Sequence, residues 1–345
     1  MSNNQLPLKV KIFVSHRIDI DSEILSSQIF VPMRCGAVFD DRSYHIQGDD
    51  TGDNISEKRM SYCEFTVQYW SWKNTEADYY GLCHYRRYFS FSKKRYKTFD
   101  TNMIRESRLT KREIKKYHLN NDLKLCGEIS QYELIVPEPA SVEKMSYKQK
   151  PVNTLREMWE SYNGIYFEDG ILDTMFRLIK ERFPQYYESA CRYFNGKKHR
   201  AFNCYIMKKE LFFRMCEFQF DIMGEMDKIY NSANYQNGMK RCIGYVGEIL
   251  NGIFIDYLIN VEGRKYKERQ LVFFVKTDRI KSKKEYYKYR ISSFFDRTAR
   301  LIVDPILPVN SKKREKIKKV LFKITPLKPQ YADKPITEKI EKNKE

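Results

Sequence analysis

The chain has 345 residues, 42% of them hydrophobic, and its 63 Lys and Arg exceed its 45 Asp and Glu to give a formal net charge of +18. A chain of this length and apolar content buries a full core, which excludes a disordered or fibrous protein. The sequence has no run of about 18 apolar residues and no secretory leader, so we expect neither a membrane-spanning helix nor export.

Eight cysteines are spread along the chain. No two of them form a C-x-x-C pair, the spacing that is typical of zinc sites. We therefore expect free thiols, most of them small core residues, and no disulfide framework.

The positive charge is concentrated in two segments. Residues 279–345 hold 20 Lys and Arg against 8 Asp and Glu, and residues 93–118 hold 10 against 3. The rest of the chain is close to neutral. The location of the charge therefore indicates a neutral body with a basic insert and a basic C-terminal region.

The chain begins with strand patterns. The run LKVKIFV at 8–14 predicts a buried strand that ends in the polar turn at 15–17. A second apolar run at 28–39 leads into the acidic loop GDDTGDN at 48–54. The glycines of this loop would let the backbone approach a ligand closely.

A helix and a further strand follow. Ser61 and Glu64 match the S-x-x-E capping box, which predicts a helix start. A ligand contact is the second reading of Glu64. Aromatic side chains then recur at helical spacing, at Tyr62, Phe65, Tyr69 and Trp72. The run YYGLC at 79–83 predicts a buried strand that delivers His84, Arg86 and Arg87 at its carboxyl end, where open α/β sheets bind ligands.

The second half continues the alternation. It predicts strands at 132–136, 201–207 and 270–276 and helices at 168–183, 209–229 and 244–258. We interpret residues 1–278 as one α/β domain with a basic insert at 93–118. Two basic amphipathic patterns predict a membrane-associating helical extension over 279–324, and the Pro- and Lys-rich residues 325–345 predict a disordered tail.

Three segments carry a family resemblance: DDTGDNIS at 49–56, YCEFTVQYWSWKN at 62–74 and YYGLCHYRRYF at 79–89. They closely resemble a bacterial glycosyltransferase family of capsule and exopolysaccharide gene clusters, long catalogued as a domain of unknown function. The resemblance extends over about residues 8–276. Arg59 departs from it, because the family more often has Asn there.

The resemblance implies an α/β fold of the A-type glycosyltransferase class, Rossmann-like with a mixed central sheet. It also implies transfer of a sugar from a nucleotide donor, a UDP-sugar, to a lipid-linked saccharide acceptor. Galactofuranose is among the sugars associated with such enzymes.

Most A-type enzymes hold a divalent cation with a D-x-D motif after a central strand, but this chain has His84-Tyr85-Arg86 in that place. A literal D-x-D at Asp19-Ile20-Asp21 follows the first strand instead. Arginine forks can neutralise a leaving diphosphate in place of a cation, so Arg86 and Arg87 are the candidates for that role. We assign no metal ligand, and Mn²⁺ or Mg²⁺ remains an open alternative. A surface ion pair between these arginines and the acidic loop is the other reading.

Further donor-binding candidates are His16 and the loop residues Asp49, Asp50 and Asp53. For the loop, the alternative is an Asx-rich solvated turn. His84 is a catalytic candidate, and it would otherwise be a metal ligand or a core histidine.

Glu248, in the Gly-flanked segment GYVGE, is the candidate general base for an acceptor hydroxyl. The alternative is a carboxylate in the first turn of a helix, where it complements the helix dipole. Arg241 and Asn203 are the acceptor-binding candidates. Arg241 could instead pair with Glu248.

The basic extension suggests attachment to an anionic membrane surface at the inner face of the cytoplasmic membrane. A nucleic-acid binder is the second class, but no known DNA- or RNA-binding module is present, and we expect no nucleic-acid partner. A non-catalytic glycan-binding subunit on the same fold is the third.

Overall fold

A computed structural model describes residues 8–40, 45–99, 101–144, 152–200 and 202–289, with 291, 306, 307 and 313. By its internal contacts the chain separates into two units, Met1–Arg279 and Ile280–Glu345. In the second unit, residues 283–289 are helical. The predicted tail at 325–345 therefore lies outside the described residues, as does most of the predicted extension at 279–324.

The strands of the first unit are, in chain order, β1 (Val10–Arg17), β2 (Phe30–Cys35), β3 (Gln47–Gly48), β4 (Tyr79–His84), β5 (Arg87–Phe89), β6 (Met103–Glu106), β7 (Leu134–Pro137), β8 (Ala140–Ser141), β9 (Lys198–His199), β10 (Tyr205–Lys208), β11 (Tyr266–Arg269) and β12 (Leu271–Phe274). The α-helices are α1 (Arg59–Tyr62), α2 (Phe65–Asn74), α3 (Lys111–Lys116), α4 (Asp122–Ile129), α5 (Leu155–Glu160), α6 (Ile171–Arg182), α7 (Tyr187–Asn195), α8 (Lys209–Tyr230) and α9 (Cys242–Asn260).

The main sheet has the order β11, β7, β10, β4, β1, β2, β3. Strands β4, β1, β2 and β3 are parallel neighbours, and β10 runs antiparallel to β4 and β7. Strands β5, β6 and β12 form a side branch that meets β4 through β5. A second, two-stranded sheet pairs β8 with β9. The predicted α/β class with a mixed central sheet is confirmed.

Apolar clusters cover both faces of this sheet, which is why its central strands are continuous hydrophobic runs. On one face, Tyr80 of β4 stacks on Phe212 of α8 at 4.5 Å between ring centroids. The aromatic stripe of α2 meets the same helix, where Trp72 stacks on Phe220 at 5.8 Å. The predicted packing of α2 through its aromatics is confirmed.

The predicted capping box is wrong. Helix α1 ends at Tyr62, and Cys63 takes a positive φ of 53° before α2 begins. Ser61 is buried and lies 2.6 Å from the hydroxyl of Ser232, while Glu64 caps no helix with its side chain. A left-handed residue inside the four-residue motif separates the two partners that the motif would join.

The basic segment at 93–118 is part of the domain. It contributes β6, which pairs with β12, and α3. Tyr117 is fully buried and donates to Glu106 Oε1 at 2.6 Å, and Lys116 pairs with the same carboxylate.

Among the described residues, one helical stretch, Gly238–Asn260, is long and apolar enough to cross a membrane by length and composition. Of its apolar window, 72% is buried inside the fold. That degree of burial is the behaviour of a core helix, and Ile249, Ile253 and Phe254 are fully enclosed.

Two helical glycines give a matched test of the packing of α9. A Cβ at Gly247 would lie 2.5 Å from the ring of Phe65 and 2.8 Å from Met223 Sδ, whereas a Cβ at Gly224 of α8 meets nothing within 4 Å. We expect Gly247→Ala to lower the free energy of unfolding by about 1–3 kcal/mol through overpacking. Gly224→Ala should raise it by roughly 0.5–1 kcal/mol. Urea denaturation measures both, and equal shifts would contradict the packing.

Candidate functional site

The carboxyl ends of the parallel strands meet at one edge of the sheet. The register pairs Ser15 with His84 and His16 with Arg34 across β4, β1 and β2. Because β10 is antiparallel to β4, its beginning reaches the same edge, and Asn203 precedes it there. The fold thus brings together predicted residues that are as far apart as 16 and 203 in the chain.

His16 is a buried, neutral histidine at this edge. It is 3% exposed, and its Nδ1 lies 2.7 Å from the hydroxyl of Ser22. Its Nε2 is buried with no hydrogen-bond partner among the described residues. Burial lowers the pKa of His16 to about 4. A neutral ring with one unsatisfied nitrogen suits a ligand group that needs a single hydrogen bond.

The turn Tyr85-Arg86 reverses the chain after β4, so that His84 pairs with Arg87. The guanidinium group of Arg87 lies over the ring of Phe202 at 4.5 Å, and that of Arg86 lies over the ring of Phe273 at 5.5 Å. These cation–π contacts hold two positive charges side by side.

The electrostatics of the edge reflect this pair of charges. Burial, then the charge of Arg86, lowers the pKa of Arg87. Burial and the charges of Arg87 and Arg86 lower the pKa of His84 well below its usual value. The carboxylates whose charge acts on Arg87 are Glu248 and Glu64, and those of the acidic loop are not among them. The alternative of an ion pair between Arg87 and that loop is therefore disfavoured.

Glu248 approaches the arginines from helix α9. Its Oε1 accepts a hydrogen bond from the backbone amide of Phe202 at 2.9 Å and lies 3.5 Å from His199 Nε2. Burial alone would raise the pKa of Glu248, but the hydrogen bonds from His199 and from the Phe202 amide, together with the charge of Arg87, outweigh it, and the pKa is lowered. Glu248 is therefore ionised at neutral pH, as a general base must be.

The helix-dipole alternative for Glu248 loses its basis. Helix α9 begins at Cys242, so Glu248 stands in the second turn, beyond the reach of the terminal dipole. The predicted helix started two residues later and placed Glu248 in the first turn.

Asn203 lies in a strained segment. Phe202 and Asn203 both have positive φ, 82° and 44°, which is rare for residues with side chains. Asn203 Nδ2 donates to Glu64 Oε1 at 2.8 Å. Such strain concentrates at functional sites, where surrounding contacts hold it in place. Glu64, read from the sequence as a helix cap, belongs to this site.

Asp49 is a structural hub. It is fully buried, and its carboxylate accepts hydrogen bonds from the amides of Gly36 and Ala37 at 2.9 Å and from the hydroxyls of Ser56 and Thr66. These four hydrogen bonds occupy the carboxylate lone pairs that a contact with the sugar-donor substrate would need. Asp49 therefore holds the loop after β2 in place, and its predicted donor contact would require these bonds to be exchanged.

The rest of the acidic loop is fastened to α2. Asp53 accepts from the hydroxyl of Tyr69 at 3.1 Å, and Trp70 Nε1 donates to the carbonyl of Thr51 at 2.9 Å. Asn74 bonds the backbone of Asp53 from both ends of its amide. These contacts tie the loop to the YWSWKN segment of α2, and they favour the turn reading for Asp53.

Asp50 lies near Arg34 at the end of β2. It is partly buried, and a Cβ at Gly48 would lie 2.4 Å from Asp50 Oδ1 and 3.4 Å from a terminal nitrogen of Arg34. Arg34 is itself buried and pairs with Asp40. Sequence reasoning missed Arg34, because nothing in the run 28–39 separates a ligand-side arginine from a strand residue.

Arg241 precedes α9 and does not pair with Glu248 as the alternative reading had it. Its Nε donates to Cys63 Sγ at 3.2 Å, and its guanidinium group lies over the ring of Tyr245 at 5.5 Å. Its charge acts on His84. Its predicted contact with an acceptor stays a prediction.

A metal site would need several His, Cys, Asp or Glu side chains close together. Within the described ranges, no three His, Cys, Asp or Glu side chains group as a metal site would need. In the literal D-x-D, Asp19 is engaged by a two-pronged ion pair with Arg17, with bonds of 2.8 and 2.5 Å.

Comparison with known proteins defines the class and then the family. The chain is similar to the apo structure of the WbbM bifunctional glycosyltransferase, with 26% identity and a TM-score of 0.69 over 80% of this chain and 47% of that one. The chain thus spans about half the length of that protein, and its fold is that of a glycosyltransferase. Residues 11–259 match the family model described as Domain of unknown function (DUF4422), and the chain belongs to this family. No curated protein matches the chain.

The lowered pKa values of the site histidines predict a pH dependence of stability. Because the pKa of His16 falls from 6.5 to about 4 on folding, the unfolded chain binds more protons between these values. The free energy of unfolding should fall as pH decreases through this window, by up to about 3 kcal/mol from His16. Urea denaturation at pH 7, 6 and 5 measures the slope. His16→Gln should reduce it, and His45→Gln, at an exposed histidine, should not. An unchanged slope in His16→Gln would contradict the assignment.

Proposed function

We propose that this chain is a glycosyltransferase that uses a nucleotide-sugar donor. The observation that carries the proposal is the arrangement of the sheet edge, where Arg87, with Arg86 next to it in the turn, lies within electrostatic reach of an ionised Glu248. Family membership and the similarity to a glycosyltransferase support it.

The chemistry divides between the two sides of the edge. The arginines would bind the diphosphate of the donor and neutralise it as the glycosidic bond breaks, since guanidinium groups bind phosphate oxygens in bidentate fashion. His16 Nε2 and the amide of Asn203 offer neutral hydrogen bonds to donor or acceptor hydroxyls. Glu248 would accept the proton of the attacking acceptor hydroxyl.

We further propose a UDP-sugar, with galactofuranose or galactose as the sugar, and a lipid-linked saccharide acceptor in capsule, exopolysaccharide or O-antigen synthesis. The family resemblance supports these choices. A divalent cation would bind with the donor diphosphate, since His84-Tyr85-Arg86 occupies the usual D-x-D position.

The deciding experiment measures release of nucleoside diphosphate from a panel of nucleotide sugars, including both ring forms of UDP-galactose. Each donor is tested with and without a lipid-linked acceptor extract, in Mn²⁺ and in EDTA. We expect acceptor-dependent release that survives EDTA. UDP binding without release from any donor would favour a non-catalytic glycan-binding subunit.

The arginine role gives a separate prediction. Arg87→Gln should lower kcat/KM by about 10²–10³-fold, the usual cost of removing one preorganised donor to developing charge. Arg87→Lys keeps the charge but loses the planar fork, so its loss should be partial. Arg177→Gln, at an exposed arginine that pairs within its own helix, serves as the control. Wild-type kcat/KM in Arg87→Gln, at an unchanged melting temperature, would refute the role.

We also propose that residues 279–345 attach the enzyme to the inner face of the cytoplasmic membrane. Their 20 basic residues against 8 acidic ones support this proposal. The full chain should float with liposomes that contain anionic lipid and not with neutral liposomes, and removal of residues 279–345 should abolish flotation. Equal flotation of the truncated chain would contradict the proposal.

A further inference from the structure

Two buried polar side chains, His199 and Tyr193, form a line of contacts that ends at Glu248. The hydroxyl of Tyr193 on α7 lies 2.7 Å from His199 Nδ1, and His199 Nε2 lies 3.5 Å from Glu248 Oε1. Tyr193 is 7% exposed and His199 is 1% exposed. Gly252, one turn after Glu248, leaves space for Tyr193, because a Cβ at this position would lie 2.2 Å from the Tyr193 hydroxyl.

The chemistry of the three groups fixes the direction of the hydrogen bonds. A carboxylate only accepts, so the His199 nitrogen that faces Glu248 must donate. In a neutral imidazole the other nitrogen then accepts, and the hydroxyl of Tyr193 is its donor. Tyr193 thereby selects the tautomer in which His199 Nε2 carries the proton.

The two oxygens of Glu248 are used differently. The amide of Phe202 and His199 both contact Oε1. The carboxylate is therefore held through Oε1, and Oε2 is the oxygen that we assign to proton acceptance. A distance of 3.5 Å is loose for a hydrogen bond, and such contacts often tighten when substrate binds.

We propose that His199 and Tyr193 are positioning residues for the general base, an inference that rests on the proposed function. They orient the Glu248 carboxylate through Oε1 and keep it ionised, so that Oε2 is ready to accept a proton. Neither side chain needs to touch the substrate.

The step that this arrangement serves is balanced. The acceptor oxygen forms a bond to the anomeric carbon as its proton passes to Glu248 Oε2. The bond from that carbon to the diphosphate oxygen breaks, and its electron pair leaves with the nucleoside diphosphate. His199 and Tyr193 keep their protons throughout.

Other groups also act on Glu248, and the test must account for them. From the elements packed around α9, the charged or titratable groups that face it are His199 of β9, Arg87 of β5, Tyr193 of α7, Tyr162 after α5, and Tyr245 of α9 itself. Cutting the bond from Tyr193 to His199 removes neither a charge nor either of the two groups that contact Glu248 Oε1, the Phe202 amide and His199.

The experiment therefore begins with Tyr193→Phe. Loss of the hydroxyl frees His199 to adopt the other tautomer and weakens its bond to Glu248. The acid limb of the pH profile of kcat/KM should move up by about one pH unit, the equivalent of one hydrogen bond to a charged group. Tyr257→Phe, farther along α9, is the control and should leave the limb in place.

A second variant separates orientation from simple damage. His199→Gln places an amide donor near Glu248 without any tautomer, so it should keep most of the wild-type limb. In that background Tyr193→Phe should cause no further shift, because there is no tautomer left to select. An equal further shift of the limb would overturn the proposal.

A readout that does not need turnover keeps the two proposals distinguishable. The pKa of Glu248 can be followed by NMR of the chain with ¹³C-labelled glutamate, its signal assigned with Glu248→Gln. Tyr193→Phe should raise that pKa by about one unit. If no donor is turned over but this shift appears, the transferase assignment fails and the positioning contact stands. If the wild type is active and neither the limb nor the pKa moves, the positioning role is wrong.

Discussion

The site depends on holding the positive charges of Arg86 and Arg87 next to each other at the edge of the sheet. Their mutual repulsion raises the free energy of the folded state. Aromatic rings beneath both guanidinium groups and the nearby carboxylates of Glu64 and Glu248 offset part of that cost. Burial keeps His16 and His84 neutral, so they add no further positive charge. An anion that binds here relieves the repulsion, and the same strain that reduces stability favours binding.

Glu248 is held at the site by a different set of contacts. Glu248 projects from a helix that is packed inside the domain, and its Oε1 is held by the amide of Phe202 and by His199. The amide can donate there because Phe202 takes a positive φ, which the stacking of Arg87 on its ring helps to hold. Phe202 therefore links Arg87, which lies over its ring, to Glu248, which binds its amide. Displacement of Arg87 would therefore disturb the position of Glu248 through Phe202.

The sequence predicts the strands that form the edge, because continuous apolar runs with polar ends are a local signal. It therefore places Arg87 correctly after β4. It misreads Glu64, because a single left-handed residue, Cys63, breaks a motif whose letters match. The sequence does not reveal the role of His199, because its partner Glu248 lies far away in the chain. For the same reason it does not reveal that Asp49 is a structural hub that binds Thr66. Contacts of that kind depend on topology, which local patterns do not record.

Strand β12 is the last strand of the domain to be synthesised, and it carries a consequence for folding. Phe273 lies beneath both arginines, and β12 pairs with β5 and β6 from much earlier in the chain. During synthesis, almost two hundred further residues must therefore be added after Arg86 and Arg87 before Phe273 can pack beneath them. Such long-range closure is slow, and exposed strand edges invite aggregation while it is pending. A chain released shortly before residue 273 would have most of its core and still lack a formed site.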